Sequence, residues 1–579
     1  MTTRRFTMAI RPFNRHRFTN KIWRMLDEEE ETPPPPPPPP PPLSPQKGLN
    51  TLPEELLLHI VTNFLDRPSL LATCLTSKKF QRIASPVLYT HIVLDVPYCT
   101  QYHGITTRIF RFARTLLDRP DLARRVRSLS LTTEWVHKKK MSVRNERSEH
   151  MESILLSCWG NAIYKAVAVV KELAGTHACW ATRSEDWIFG MKVGSGHAWA
   201  GLVLALLPRL EDLTIEVLAG RSEEWQEYEE ESVWDEYRFE LAVTERLFGW
   251  AAHGDKSCLD LATLPGLRNL RVLKFFGGFI APQWFVLPNL CSIQVGRGCK
   301  LPAGKDWGII LQEDASGNAM KKSKIRHLGL GMSTFAVVDE EDDYHKLSPD
   351  TISRTRFPCL DTLTIQLTNI DCQSEDMDIL DWKLRGNMDF FLSCMGPVKK
   401  ALRHFFLPIG GDPTFLAWIE PVTSLAAFTK LKSLRIPQDL LLGENYGLCK
   451  DAPDIPDAEI LFPKTLKLLT IQYPTAQIFD WLDIFDKSVD KGAFPAFQGV
   501  HLLCEGIRGD PCPAMCAEWE VWYERRRRPY EVWIYYMEDE EHPSWYNGTW
   551  SKDWDPYVIR VVKFLEDLHV EPDAKTSVV

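Results

Sequence analysis

The stretch Leu49–Val96, LNTLPEELLLHIVTNFLDRPSLLATCLTSKKFQRIASPVLYTHIVLDV, carries the densest structural signal in the chain. Thr51 and Glu54 have capping-box spacing, and Pro53 falls in a first helical turn, where a missing N–H costs nothing. Leu56, Leu57, Ile60, Val61, Phe64 and Leu65 recur at helical spacing and make one broad apolar face. Asp66 is placed to cap a second helix that begins near Pro68 and carries Leu70, Leu71 and Leu75. Ser77 suits the cap of a third, with Phe80 and Ile83 inward and Pro86 expected to end it. Three helices this short sit at the lower limit of an independent core. Leu56 and Leu57 lie about 100° apart around the helix, so the face is wider than a small bundle needs. Part of it is expected to meet another protein.

The run Leu52-Pro53-Glu54-Glu55-Leu56-Leu57, then Ile60, Leu65, Leu70-Leu71, Ser77-Lys78, Phe80, Ile83-Ala84 and Leu88-Tyr89, resembles the F-box, in particular its fungal form with a Pro-x-Leu-Tyr turn. The likeness covers roughly a twelfth of the chain and departs at Phe80, where many animal F-boxes carry Trp. It implies docking to a Skp-type adaptor and, through it, to the cullin of an SCF (Skp–cullin–F-box) ubiquitin ligase. The positions it implies for adaptor binding are Leu52, Pro53, Leu56, Ile60, Leu65 and Leu75. Which of these face the adaptor and which fill the F-box's own core stays open.

C-terminal to this segment, an apolar-x-x-apolar-x-apolar pattern recurs ten times. The triplets are Val126/Leu129/Leu131, Leu210/Leu213/Ile215, Leu270/Leu273/Phe275, Leu290/Ile293/Val295 and Ile325/Leu328/Leu330, then Leu360/Leu363/Ile365, Leu402/Phe405/Leu407, Leu431/Leu434/Ile436, Leu466/Leu469/Ile471 and Phe497/Val500/Leu502. The spacing averages about 41 residues from Val126 to Phe497. The last two residues of each triplet stand at period two, so both point from a short strand into a shared core. Leucine-rich repeats stack strands in this way. The helix-like stretches Met151–Ala174 and His197–Leu207 are expected to cover the outer face, and Ile92, Leu94 and Val96 alternate like a first strand. The expected architecture is α/β: a small three-helix F-box over 48–96, then an irregular leucine-rich-repeat-like solenoid over 97–510.

Residues between the two strand leucines should point to the opposite, concave face. They are Ser130, Thr214, Lys274, Gln294, Gly329, Thr364, Phe406, Arg435, Thr470 and His501, and eight of the ten are polar, as a solvated face requires. Lys274, Gln294, Phe406, Arg435 and His501 are the candidate target-binding residues; a plain solvated sheet with binding on loops is the alternative.

Residues 1–47 stand apart. The first 26 carry seven Lys/Arg and no acid, and Pro33–Pro42 is an unbroken run of ten prolines. Such a run forms an extended rod that cannot join a core, so this region reads as a basic arm on a stiff spacer. Insertions account for the uneven period: His137–His150 reads as a charged loop, Glu223–Glu240 as an acidic surface helix, and Asp339–Asp343 as a solvated acidic loop without calcium-loop order. Residues 511–579 hold Trp519, Trp522, Trp533, Trp545, Trp550 and Trp554, with a helix expected from Pro556, and read as an aromatic cap.

The function classes narrow accordingly. Acids outnumber bases 77 to 68, for a net charge of −9, so nothing global points to nucleic acid. No apolar run approaches the roughly 20 residues of a membrane span. Fourteen scattered cysteines read as buried thiols of an intracellular, cytoplasmic or nuclear protein. No GxSxG, P-loop, GxGxxG or HExxH occurs, and Cys512 and Cys516 lack a second pair for zinc. No catalytic residue, metal or cofactor is assigned. The expected function is a non-catalytic substrate receptor that holds an unknown protein target for ubiquitination; a non-ligase interaction scaffold is the alternative.

Overall fold

Each of the ten apolar triplets lies on or at the start of a β-strand. The computed structural model describes residues 49, 52–94, 105–135, 145–219, 243–249, 259–296, 299–300, 323–333, 357–368, 386–393, 395–410, 416, 419–443, 457–475, 478–505 and 530–537. The chain divides into two units, Met1–Phe64 and Leu65–Val579. The first contributes helix α1 (Glu54–Asn63). The second begins with α2 (Arg67–Thr76) and α3 (Lys78–Leu88), which pack on each other and lead into the sheet.

Twelve strands follow one another across a single parallel sheet in chain order. They are β1 (His91–Leu94), β2 (Ser128–Trp135), β3 (Asp212–Ala219), β4 (Val272–Phe276), β5 (Ser292–Val295) and β6 (His327–Ser333). Then come β7 (Thr362–Thr368), β8 (His404–Phe406), β9 (Ser433–Pro437), β10 (Leu468–Gln472), β11 (Gly499–Glu505) and β12 (Glu531–Met537). A two-residue strand, Ile409–Gly410, also pairs with β7. The register holds from strand to strand: Leu129, Leu213, Leu273, Ile293, Leu328, Leu363, Phe405, Leu434, Leu469 and Val500 lie directly opposite one another. All three residues of each triplet are buried in one core, except Phe497, which packs against it partly exposed.

The same backbone joint recurs at each step from β1 to β11. The Arg127 carbonyl accepts the N–H groups of both Glu211 and Asp212, at 2.7 and 3.0 Å; the Asp361 carbonyl accepts those of Arg403 and His404; the Lys432 carbonyl accepts those of Lys467 and Leu468. From Thr90 to Lys467 ten successive carbonyls are shared in this way. The joint uses no side chain, so it tolerates any residue at that position except Pro at a donor.

Helix α4 (Ile105–Asp118), α5 (Asn145–Thr176) and α6 (Gly196–Leu206) build the thickest part of the core. Ser195 caps α6 through its hydroxyl, and His197–Leu204 are buried without a break. A helix apolar all round has no solvent face, and α6 packs against α4, β2 and the helices Val243–Phe248 and Pro265–Asn269. Gly201 makes the closest approach possible: an added Cβ would stand 1.9 Å from the Leu247 carbonyl oxygen. Four buried tryptophans find partners for their N–H groups, Trp180 on Thr263 Oγ1, Trp187 on the Ala198 carbonyl, Trp199 on that of Met191, and Trp284 on Thr244 Oγ1, whereas the buried Trp481 Nε1 has no partner among the described residues.

Several expectations are corrected. Pro86 does not end α3, which runs on to Leu88; the Tyr89 N–H still reaches the Ser85 carbonyl, so the ring costs the helix a donor but not its last turn. Pro53, expected inside the first turn, occupies the N-cap position of α1, and the capping box read at Thr51 lies outside the described residues. The loop expected over His137–His150 gives way to α5 from Asn145. Among the described residues, the segments between the later strands carry mostly single turns, such as Gly396–Lys400 and Ala458–Leu461, with a longer helix only at Ile478–Asp490. The sheet continues past residue 510 through β12. Of five free cysteines among the described residues, Cys359 is exposed and Cys74, Cys179, Cys291 and Cys299 are only partly buried by surface area, though burial still pushes the Cys299 thiol up to about 12. The arm and proline run, Thr51, Val96, the acidic stretches Glu223–Glu240 and Asp339–Asp343, Cys512, Cys516 and the region from Pro556 lie outside the described residues.

Candidate functional site

In α1, Leu57 and Val61, four residues apart, are the buried pair. Leu57 is 1% exposed, whereas Leu56 on one side keeps 52% of its surface in water and Leu58 on the other is also exposed. Pro53 is exposed, and Leu52 and Ile60 are half-buried. Phe64, just past the helix, stands out in solvent with the His59 ring edge-on at 5.9 Å.

In the second unit, Asp66 Oδ1 accepts the Ser69 N–H at 3.0 Å and Ser77 Oγ accepts that of Phe80 at 3.2 Å. These two caps, both expected from the sequence, set where α2 and α3 begin. The hydrogen bond from Ser69 holds the Asp66 carboxyl below its ordinary pKa. Leu70 faces inward from α2, Leu65 is half-buried, and Leu71 and Leu75 face out. Leu75 is 88% exposed, the extreme among the large apolar side chains described. Ile83 and Ala84 fill the inner side of α3.

Ten large apolar side chains are exposed among the described residues, and seven of them fall between residues 49 and 93: Leu49, Leu56, Leu58, Phe64, Leu71, Leu75 and Val93. Of these, Leu49, Leu58, Phe64, Leu71 and Val93 are not among the adaptor-binding positions that the sequence suggests. The signal for Leu58 was present: three consecutive leucines, Leu56–Leu58, span about 200° of a helix and cannot share one core face.

The second candidate surface is the sheet face opposite the core. The ten residues expected there form one in-register row, Ser130 opposite Thr214, then Lys274, Gln294, Gly329, Thr364, Phe406, Arg435, Thr470 and His501. Val93 and Trp533 continue it at either end. The row is not the fully solvated face expected. Lys274, Phe406, Arg435 and His501 are half-buried, and Gln294 is only 7% exposed, with no partner on its Nε2. Phe276, on the same face as Lys274, has its ring against Gly296, two residues beyond Gln294. Arg435 leans across to Gln472 on β10; with the carboxamide turned to satisfy both its atoms, Gln472 Oε1 accepts from Arg435 Nη2 at 2.9 Å. Burial pushes the His501 imidazole down to about 4, so this side chain is neutral near pH 7.

Among the described residues no group of three or more His, Cys, Asp or Glu side chains is arranged to hold a metal ion, and no helix is long and apolar enough to cross a membrane. The family model described as F-box-like matches residues 49–95. The helices α1–α3 and the caps Asp66 and Ser77 are therefore an F-box-like domain, a module of protein–protein interaction whose usual partner is a Skp-type adaptor. No curated protein matches the chain.

Proposed function

We propose that this chain is the substrate-receptor subunit of an SCF-type ubiquitin ligase, with an F-box of the fungal form. The carrying observation is the crowding of exposed apolar side chains into the F-box-like segment, where seven of the ten described lie. Large apolar side chains left in water at this density along one segment of chain mark a docking site. Leu56 and Leu75, with Pro53, take the adaptor-facing role; Leu52, Ile60 and Leu65 divide between that surface and the domain's own packing.

The remainder acts as a leucine-rich-repeat-like solenoid. Chain-ordered parallel strands in constant register support this reading, because stacking of like units generates that pattern. The solenoid presents a protein target on its open face through Lys274, Phe406, Arg435 and His501, with Gln294 recessed among them. Residues 511–579 close its far end and residues 1–47 form the arm and spacer. The chain itself breaks no bond: it supplies proximity and orientation while its partners transfer ubiquitin, in the cytoplasm, the nucleus or both.

The test is affinity purification of the full chain, with and without proteasome inhibition. Co-purification of a Skp-type adaptor with its cullin, and a target enriched under inhibition, is the expected outcome. An adaptor without cullin, or neither, replaces the ligase receptor with an interaction scaffold.

A further inference from the structure

The turn into each strand of the ten repeats is built from three fixed positions: two before, one before and one after the first triplet residue. Of these thirty positions fourteen are Lys or Arg and two, Glu211 and Asp361, are acidic. The chain as a whole has more acids than bases, so the excess is local to this edge. Both acids are already matched, Glu211 to Arg127 and Asp361 to Arg403, the latter at 3.3 Å.

Before β8, β9 and β10 six of the nine positions are Lys or Arg and none is acidic. The shared-carbonyl joint sets Arg403, Lys432 and Lys467 on adjacent strands, about 4.8 Å apart by parallel-strand spacing. The Thr429 hydroxyl donates to the Lys400 carbonyl at 3.4 Å and the Thr465 hydroxyl to that of Thr429 at 3.3 Å, which lines up the neighbouring Lys400, Lys430 and Lys464 in the same way. Five of these six cations are exposed and Lys467 is half-buried. Like charges at this spacing repel, and an anionic partner relieves that repulsion.

We propose that this N-terminal edge of the sheet, centred on Lys400, Arg403, Lys430, Lys432, Lys464 and Lys467, is a docking surface for an acidic polypeptide segment rich in Asp and Glu. A nucleic acid fits it less well. Single strands are held by stacking on exposed aromatic rings, and these turns carry no aromatic residue. Lysine ammonium groups on flexible stems suit carboxylates that arrive without fixed geometry.

The experiment is fluorescence anisotropy of a labelled oligoglutamate peptide against the full chain, at low and at physiological salt. Wild type is expected to bind, more weakly as salt rises. The charge reversal Lys430→Glu/Lys432→Glu/Lys464→Glu should weaken binding on the order of tenfold, from three surface charge pairs lost. The neutral triple Lys→Gln variant should fall between, and an unchanged circular-dichroism melt separates charge loss from unfolding. The proposal is overturned by no binding by wild type, by equal binding by the reversed variant, or by tighter binding of oligouridylate RNA. A phosphoserine peptide of equal charge bound far more tightly would also overturn it, in favour of phosphate. Adaptor capture by the reversed variant should be unaffected, so the outcome stands apart from the ligase reading.

Discussion

Leu75 and Leu57 are the same residue type in neighbouring helices, one in water and one out of it, and that contrast makes a quantitative test. Leu75→Ala removes a side chain that is 88% exposed, so the folded chain loses almost no buried area. Stability should move by less than ~0.5 kcal/mol, as for other surface substitutions, with Ala itself a good helix former. In an adaptor complex the same side chain would be fully buried. Burying a leucine is worth about 1.5–3 kcal/mol, so its truncation should cost roughly 2 kcal/mol of docking, about thirtyfold in Kd. Leu57→Ala should do the opposite. It empties a buried site and costs about 2–5 kcal/mol of folding, with adaptor binding lost only as the helix is lost. The assays are isothermal titration of each full-length variant with purified Skp-type adaptor and circular-dichroism melts of the same samples. If Leu75→Ala binds the adaptor as tightly as wild type, that leucine is not an adaptor contact. If it melts as early as Leu57→Ala, the exposed helix face is not free surface at all.

Ser77→Ala should remove the only side-chain acceptor for the Phe80 N–H at the start of α3, costing about 1 kcal/mol, read as faster amide hydrogen exchange over 78–82. Gly201→Ala forces a methyl group onto the Leu247 carbonyl at 1.9 Å, so α6 and the helix Val243–Phe248 must separate; a drop of more than ~2 kcal/mol in urea unfolding is expected, and a neutral result would mean that the two helices are not in contact. The His197 imidazole is buried, with Nε2 unpartnered, and burial together with Arg246 depresses it to about 3. It is neutral in the fold, while the unfolded chain takes up a proton below about 6.5, so stability rises with pH from about 3 to 6.5 and is flat above. His197→Phe should flatten that slope, which reaches at most ~1.4 kcal/mol per pH unit per group, when urea midpoints at pH 7 and pH 5 are compared. His501 titrates in the same direction and should leave part of it.

The repeat was readable because its signal is local: a leucine three residues before a period-two pair is enough to place a strand, and ten such triplets placed ten strands in register. β1 was readable by simple alternation at Ile92 and Leu94, and the caps at Asp66 and Ser77 by residue type. What was missed depends on neighbours remote in sequence. Nothing near Gln294 announces that the fold will bury it, or that the ring of Phe276, eighteen residues earlier, will lie against Gly296. Pro86 reads as a stop because the sequence shows its missing donor but not that the next turn can close through Ser85. β12 was hidden among tryptophans that invited a different reading, since no leucine triplet precedes it. At the candidate site the sequence told which side chains are apolar, but only the folded helices separate Leu57 from Leu56 and Leu58.

The carbonyl shared by two N–H groups has a consequence for how such a protein can change. From Val272 to Ser292 the chain travels 20 residues between joints, and from Ser128 to Asp212 it travels 84, yet both connections close on the same bonds in the same register. For a flexible connection, the added closure entropy of the longer path is only about 1.3 kcal/mol, since it grows with the logarithm of length. An excursion four times longer is thus nearly neutral for the sheet. Segments between strands can lengthen, shorten or be exchanged one at a time, each sampling new contacts at the surface, while the stack beneath them keeps its count.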